Sequence, residues 1–435
     1  MKDEPRASVE KHVNERGMSM IVTALFIVGE NAGGGLIALP GAVLSTGAPL
    51  GIVLIIVAAI ICAYTGILLS ENWVILQRIF PEYRDHCRKP YPSMGLRAGG
   101  PRFGHFVSTI LQVTSFGAAV VFLLLASKNF ETMLHANFNT HISFCYMILI
   151  VGLLVFPMTL PKSPKDFWQA VVAAMITTLI AVVLIIIGSV DDFSTCYPHA
   201  HYPEMNWQRL FMSFGTIMFA YGGHGAFPTI QHDMRKPHQF TKSLIIAYIA
   251  IVLLYMPVSM VGYYVYGSSL TDSIIPSIQN IPIQTIISLL ITLHVALALT
   301  ILFNPLNQEV EEWLNIPHEF LREKASIKSR SHDGGYFFVA ESVPNFGVLL
   351  DLVGGSTITL MALVLPVIFN LCLTTIQKKH DLKDPEYAKP PSIKESLNYG
   401  GYWITESAKV EKRLVREARA ARVKVTQNFR LYSQA

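Results

Sequence analysis

Long apolar runs separated by shorter polar stretches set the pattern of this chain. They lie near 18–44, 50–76, 104–127, 142–160, 167–190, 208–231, 241–266, 282–306, 336–350 and 355–376. A helix needs roughly 20 mostly apolar residues to cross a bilayer core, and in lipid each backbone amide must be satisfied within its own helix. The pattern therefore predicts an all-α polytopic membrane protein of about ten spans. The ninth run is the exception. It follows the polar, Gly-rich "EKASIKSRSHDGGY", contains Glu341 and reaches only about fifteen residues, short of a full crossing. An altered splice or incomplete gene model accounts for this more simply than local thinning of the bilayer.

Two runs are interrupted. The first holds "GENAGGGLIALPG" (Gly29 to Gly41), with Glu30 and Asn31 beside Gly33, Gly34 and Gly35, and Pro40 just after. Each glycine disfavours helix by about 1 kcal/mol relative to alanine, and unwound backbone at membrane depth is tolerated only where it is buried or lines a cavity. The sixth run holds "FAYGGHGAFPTIQHDMRKP", where Tyr221, Gly222, Gly223, His224 and Gly225 precede Pro228. The breaks open two five-span halves, about 18–190 and 208–376. Paired breaks at corresponding positions point to an inverted-repeat transporter with its site at the midplane. Freed amides attract a carboxylate there and freed carbonyls attract an ammonium, so the pair suits a zwitterion.

Composition agrees with a membrane chain: of 435 residues, 51% are hydrophobic and 15% charged, with a mean hydropathy of +0.42. A net charge of +4 suggests no nucleic-acid partner. The distribution of basic residues says more than their sum. One set of loops carries Arg78, Arg84, Arg88, Lys89, Arg97 and Arg102, then Lys162 and Lys165, then Arg235, Lys236 and Lys242, then Arg322, Lys324, Lys328 and Arg330; the complementary loops hold only Lys128. Basic loops stay in the cytosol, which places both termini there: a tail over 1–17, a transporter domain over 18–376 and a basic tail over 377–435. The first run is too long for a cleaved signal peptide and should act as a retained anchor. In the C-terminal tail, Leu414, Ala418 and Ala421 at helical spacing among Arg413, Arg416, Arg419 and Arg422 fit a helix on anionic lipid, or equally a solvated one.

Five cysteines at no metal-like spacing suggest neither zinc nor a disulfide scaffold. Cys145 and Cys196 both fall on the predicted outer side, where a disulfide is possible. His232, Asp233 and His238 end the sixth span before "RKP" and read as a solvated cap rather than a metal site. Buried ionisable groups are a different matter, because intramembrane charge is expensive. Glu30 is expected to titrate or to form an ion pair, and His294, in "LLITLHVALALT", is either a second coupling group or a hydrogen-bonded core histidine.

"NAGGGLIALPGAVLSTG", "YGGHGAFPTIQHDMRKP" and "VPNFGVLLDLVGGSTITLMALVLPVIFNL" together resemble the amino acid/auxin permease family, nearest to its vesicular inhibitory-amino-acid and vacuolar branches, over about 15–376. The resemblance implies the five-plus-five inverted-repeat fold of the leucine-transporter type and transport of amino acids driven by H+ or Na+. It places Asn31, Gly33, Gly34, Gly35, Tyr221, Gly222, Gly223 and His224 at the substrate site, with Glu30 and His294 as ion-coupling candidates. Thr292 and Thr300 offer oxygens should the ion be sodium. Most relatives have an eleventh span that this chain lacks. The absence of a countercharge for a substrate side chain argues for small neutral amino acids, although Glu30 would also attract a cation. An amino-acid sensor on the same fold and a transport-defective isoform are the alternatives. Enzyme motifs and a channel filter are missing, and no sequon helps to choose between the plasma membrane and a vacuolar, lysosomal or vesicular one.

Overall fold

The computed structural model describes residues 14–15, 17–84, 87–140, 142–155, 164–313, 340, 342–343, 345–392 and 394–397. The basic 398–435 tail and, within the ninth run, residues 336–339, 341 and 344 lie outside the described residues.

The first half opens with α1 (Met20–Asn31) and α2 (Gly34–Thr46), which meet at a bend of 55°. It continues through α3 (Ala48–Ile79), α4 (Pro90–Phe138), α5 (Phe144–Val155) and α6 (Pro164–Asp191). The second half opens with α7 (Trp207–Ala220) and α8 (Phe227–His232), separated by a short 3-10 turn, and continues with α9 (Phe240–Tyr266), α10 (Ile281–Trp313) and α11 (Phe346–Asp381). Local chemistry sets several starts. Ser19 Oγ accepts from Val22 N–H at 3.3 Å, Asn206 from Gln208 N–H at 2.9 Å, and Asn345 from Val348 N–H at 3.0 Å. Each side chain satisfies an amide that the first turn leaves without a partner.

Among the described residues, six helices are long and apolar enough to span a membrane, and the bent α1–α2 pair makes a seventh. Large apolar side chains face outward, such as Leu153 at 75% and Leu253 at 69% exposure, an arrangement suited to lipid rather than water. This is a multi-pass membrane protein with an inverted-repeat fold. α9 packs along α1, α2 and α3, α10 along α4 and α6, and α11 along α3 and α7, so both breaks sit at the centre of the bundle.

Three expectations need correction. The predicted boundary between the ninth and tenth runs, near 350–355, does not exist. α11 starts at the Asn345 cap and passes through Gly354 and Gly355 as a wider π-helical stretch. The glycines let α7 approach: a Cβ on Gly354 would strike the Gly215 backbone. The third span also begins earlier than its apolar run, since Pro90 to Gly100 is helical before a kink at Gly100, whose φ of 81° precedes Pro101. Finally, Cys145 and Cys196 are not joined to each other by a disulfide.

One face of the bundle carries the ends of α3 and α8 with Arg78, Arg84, Arg88, Lys89, Arg235 and Lys236, and is called the basic face below. There, Asn14 and Met18 lie beside 233–235: Met18 N–H donates to the Asp233 carbonyl at 2.9 Å, and Arg235 N–H to the Met18 carbonyl at 2.8 Å. Ser243 Oγ adds a bond to the Met20 carbonyl at 2.8 Å. The starts of α1 and α9 are thus tied to the end of α8. His232 is not the solvated cap that the sequence suggests; it is partly buried, edge-on to Trp73 at 5.6 Å.

Candidate functional site

The two breaks meet. Asn31, the last residue of α1, is 5% exposed; its Nδ2 donates to the Ile27 carbonyl at 2.9 Å, and its Oδ1 accepts from Gly223 N–H at 3.2 Å. Gly223 allows this approach, because an added Cβ would lie 2.7 Å from Asn31 Nδ2. From α9, the Tyr255 hydroxyl lies 2.8 Å from the Asn31 carbonyl and 2.6 Å from the Ala220 carbonyl. With one hydrogen it donates to one at a time, so the C-terminal ends of α1 and α7 converge on a single donor.

The glycine triplet divides its tasks. Gly35 packs directly on Ala220, where a side chain has no room. Gly34 faces Phe122 and Leu125. Gly33 faces His294, and an added Cβ there would lie 2.7 Å from Nε2. The imidazole of His294 is fully buried: Nδ1 lies 2.7 Å from Thr178 Oγ1 and 3.0 Å from the Ala174 carbonyl, whereas Nε2 has no partner among the described residues. Donation to the carbonyl requires the hydrogen on Nδ1, which leaves Nε2 with a bare lone pair facing the first break. The structure thus brings His294 to the break. It does not bring Thr292, which accepts from Asn129 of α4 at 3.3 Å.

At the second break, the side chains of Tyr221 and His224 turn away from the cavity described next. Tyr221 is buried between Tyr248 and Tyr255, with ring centroids at 5.9 and 5.3 Å. His224 is buried against α3, with Nε2 3.0 Å from the Cys62 carbonyl and 3.1 Å from Thr65 Oγ1. Gly222 and Gly223 remain as backbone wall.

That wall belongs to a cavity of about 90 Å³ opening toward the basic face. Glu30 and Phe26 line it from α1, Gly222, Gly223, Gly225 and Ala226 from the second break, Gln112 and Ser115 from α4, and Arg88 and Lys89 from the loop before α4. Lys89 pairs with Glu309 at 2.6 Å. Glu30 is partly buried and makes no hydrogen bond or ion pair with the described residues. A second cavity, of about 610 Å³, enters from the opposite face and is lined by Ala38, Arg209, Asp272, Thr216 and Asp351. Thr216 Oγ1 donates to Asp351 Oδ1 at 2.5 Å. Between the two cavities lie the Gly35–Ala220 contact and the edge-on rings of Phe122 and Phe219, 6.3 Å apart.

Sequence reading missed Tyr255, Thr178, Gln112 and the Thr216–Asp351 pair. Tyr248 and Tyr255 stand seven residues apart in an apolar helix, a same-face polar signal. The others carry no local signal, because their roles arise only from which helices become neighbours.

Residues 16–384 match the family model described as transmembrane amino acid transporter protein. From Arabidopsis thaliana, amino acid transporter AVT1B is 26% identical over 359 residues, covering 80% of this chain and 63% of that protein. Amino acid transporter AVT1D is 26% identical over 357 residues, covering 79% and 61%, so the chain spans about three-fifths of the length of these relatives. Amino acid transporter AVT1I is 24% identical and is covered to 82%. Among solved structures, Mhp1, a nucleobase-cation-symport-1 family transporter in a closed conformation with bromovinylhydantoin bound, matches with a TM-score of 0.60 at 11% identity, over 90% of this chain and 85% of that one. MhsT in complex with L-phenylalanine matches at 0.51 and 12%, over 88% and 96%. These likenesses share the leucine-transporter-type fold with this chain.

Proposed function

The chain belongs to the transmembrane amino acid transporter family, and from that premise we propose that it is a secondary active transporter that moves amino acids across a membrane by opening one site, at the two broken helices, to each face in turn. The observation that carries this reading is the pair of cavities that approach the breaks from opposite faces, with the Gly35–Ala220 and Phe122–Phe219 contacts between their linings. Alternating access needs such a barrier, thin and built from elements able to rock.

On this reading the backbone at Gly222, Gly223 and Gly225 meets the substrate, and Asn31 with Gly33, Gly34, Gly35, Tyr221 and His224 hold that backbone unwound. The small cavity favours small neutral amino acids. Protons are the driving ion, carried at Glu30 and His294, since both present an atom without a partner among the described residues beside the first break; sodium is the alternative. The basic face is cytosolic by the distribution of Lys and Arg. Proteoliposomes of the full chain, given a labelled amino-acid mixture under a pH gradient and a sodium gradient imposed separately, test the reading. Accumulation under the pH gradient is expected. Folded protein that accumulates nothing under either gradient would overturn it.

A further inference from the structure

We propose that the Glu30 carboxylate is the partner of the substrate's ammonium group, and that proton and substrate occupy it in turn. The proposal rests on the site reading above and adds an identity for the group that binds the amine.

At the breaks, the negative ends of two half-helices would ordinarily receive an ammonium. Here both are engaged. The Asn31 carbonyl accepts from Gly33 N–H at 2.9 Å and the Ala220 carbonyl from the Tyr255 hydroxyl at 2.6 Å, and Asn31 Oδ1 is held by Gly223 N–H. Glu30, one residue before the break, is the anionic group that remains in the cavity without a partner among the described residues. A carboxylate left unpaired at membrane depth is unfavourable, and either a proton or a ligand cation relieves it. Arg88 on the same cavity wall carries a charge that suits the substrate's carboxylate, while the charge of Lys89 is matched by Glu309. The cavity therefore has one pole for each end of a zwitterion.

The other titratable groups near α1 do not substitute for Glu30 as an anion; His294, against Gly33, is a base that is neutral or cationic and gives an ammonium no counter-charge. On the cavity wall, the Tyr91 hydroxyl is committed to the Met361 carbonyl at 2.7 Å, and Arg88 and Lys89 are cations. On the elements packed against α1, His224 is bonded to α3, His232 lies on Trp73, Lys242 is exposed at the basic face, and Tyr248 and Tyr255 face Tyr221. On arrival of the substrate, the Glu30 O–H bond breaks, the proton leaves to water in the open cavity, and the freed carboxylate accepts N–H bonds from the ammonium. One carboxylate cannot hold both, so each substrate bound displaces one proton. Lower pH must then weaken substrate binding, because protonation removes the ammonium's partner.

The test is thermal stabilisation of the purified full chain by a mixture of the common amino acids, against the same mixture N-acetylated, over a pH series. The wild type should be stabilised by the free amino acids and not by the acetylated ones, with apparent affinity falling toward about tenfold per pH unit on the acid side. A pH dye in weak buffer should report one proton released per substrate bound there. Glu30→Gln should fold, lose roughly 100-fold in affinity and lose the pH dependence; Glu30→Asp should keep both in weaker form and guards against misfolding of the first variant. Wild-type affinity in Glu30→Gln, or equal stabilisation by acetylated amino acids, would overturn the proposal. Binding with these properties but no uptake under any gradient would instead overturn the transport reading alone.

Discussion

The two interruptions place their ionisable side chains in opposite settings. At the second break, His224 is fully buried and bonded to Cys62 and Thr65 of α3. At the first, Glu30 is only partly buried, has no partner among the described residues and faces a cavity. Both read alike in the sequence, as charged or chargeable residues inside an apolar run. The difference teaches that a polar residue at a helix break serves either the break or the ligand, and that its partners tell which. His224 holds unwound backbone in place, and Glu30 is left for something that comes and goes.

Substitutions sharpen that contrast, and stability is the axis on which they separate. The largest loss is expected for Gly35→Leu, which drives a side chain into the α7 backbone at Ala220; about 3 kcal/mol or more of overpacking should appear as a failure to recover monodisperse protein. His224→Ala should follow, at about 2–3 kcal/mol, through lost hydrogen bonds and an unfilled space; a lower melting temperature with little change in substrate affinity would fit a structural post. Tyr255→Phe should cost about 1–2 kcal/mol, since the converging carbonyls of Asn31 and Ala220 lose their donor. Glu30→Gln is the smallest, within about 0.5 kcal/mol, because no protein contact is removed. A Glu30 variant that melts like His224→Ala would erase the distinction between the two breaks.

Much of this fold is legible along the chain. The apolar runs mark the helices, and the glycines with Pro40 and Pro228 mark both breaks. The failures are informative. Gly354 and Gly355 look like an end of a helix, but they sit inside α11, where their lack of side chains serves a crossing with α7. A glycine's use for packing or for breaking depends on a partner that periodicity does not name. The site divides in the same way. Glu30, Asn31, His224 and His294 stand out as polar residues in apolar surroundings, but only their neighbours show that Asn31 joins the two breaks and that His294 reaches Gly33 from α10. Tyr255 donates from a helix outside either break, so no local motif points to it.

The most direct test of the central claim is substrate protection of a cysteine placed at Ala226, on the cavity wall beside the second break. Ala226→Cys is compared with the parent chain, whose own free thiols set the background rate of modification. A saturating amino-acid mixture should slow modification of the new cysteine by a small polar thiol reagent applied from the basic face, and the same mixture should lose this effect when Glu30→Gln is added. Unchanged modification at Ala226 while bound amino acid still stabilises the protein would contradict the account, because the ligand would then sit somewhere other than the cavity between the two breaks.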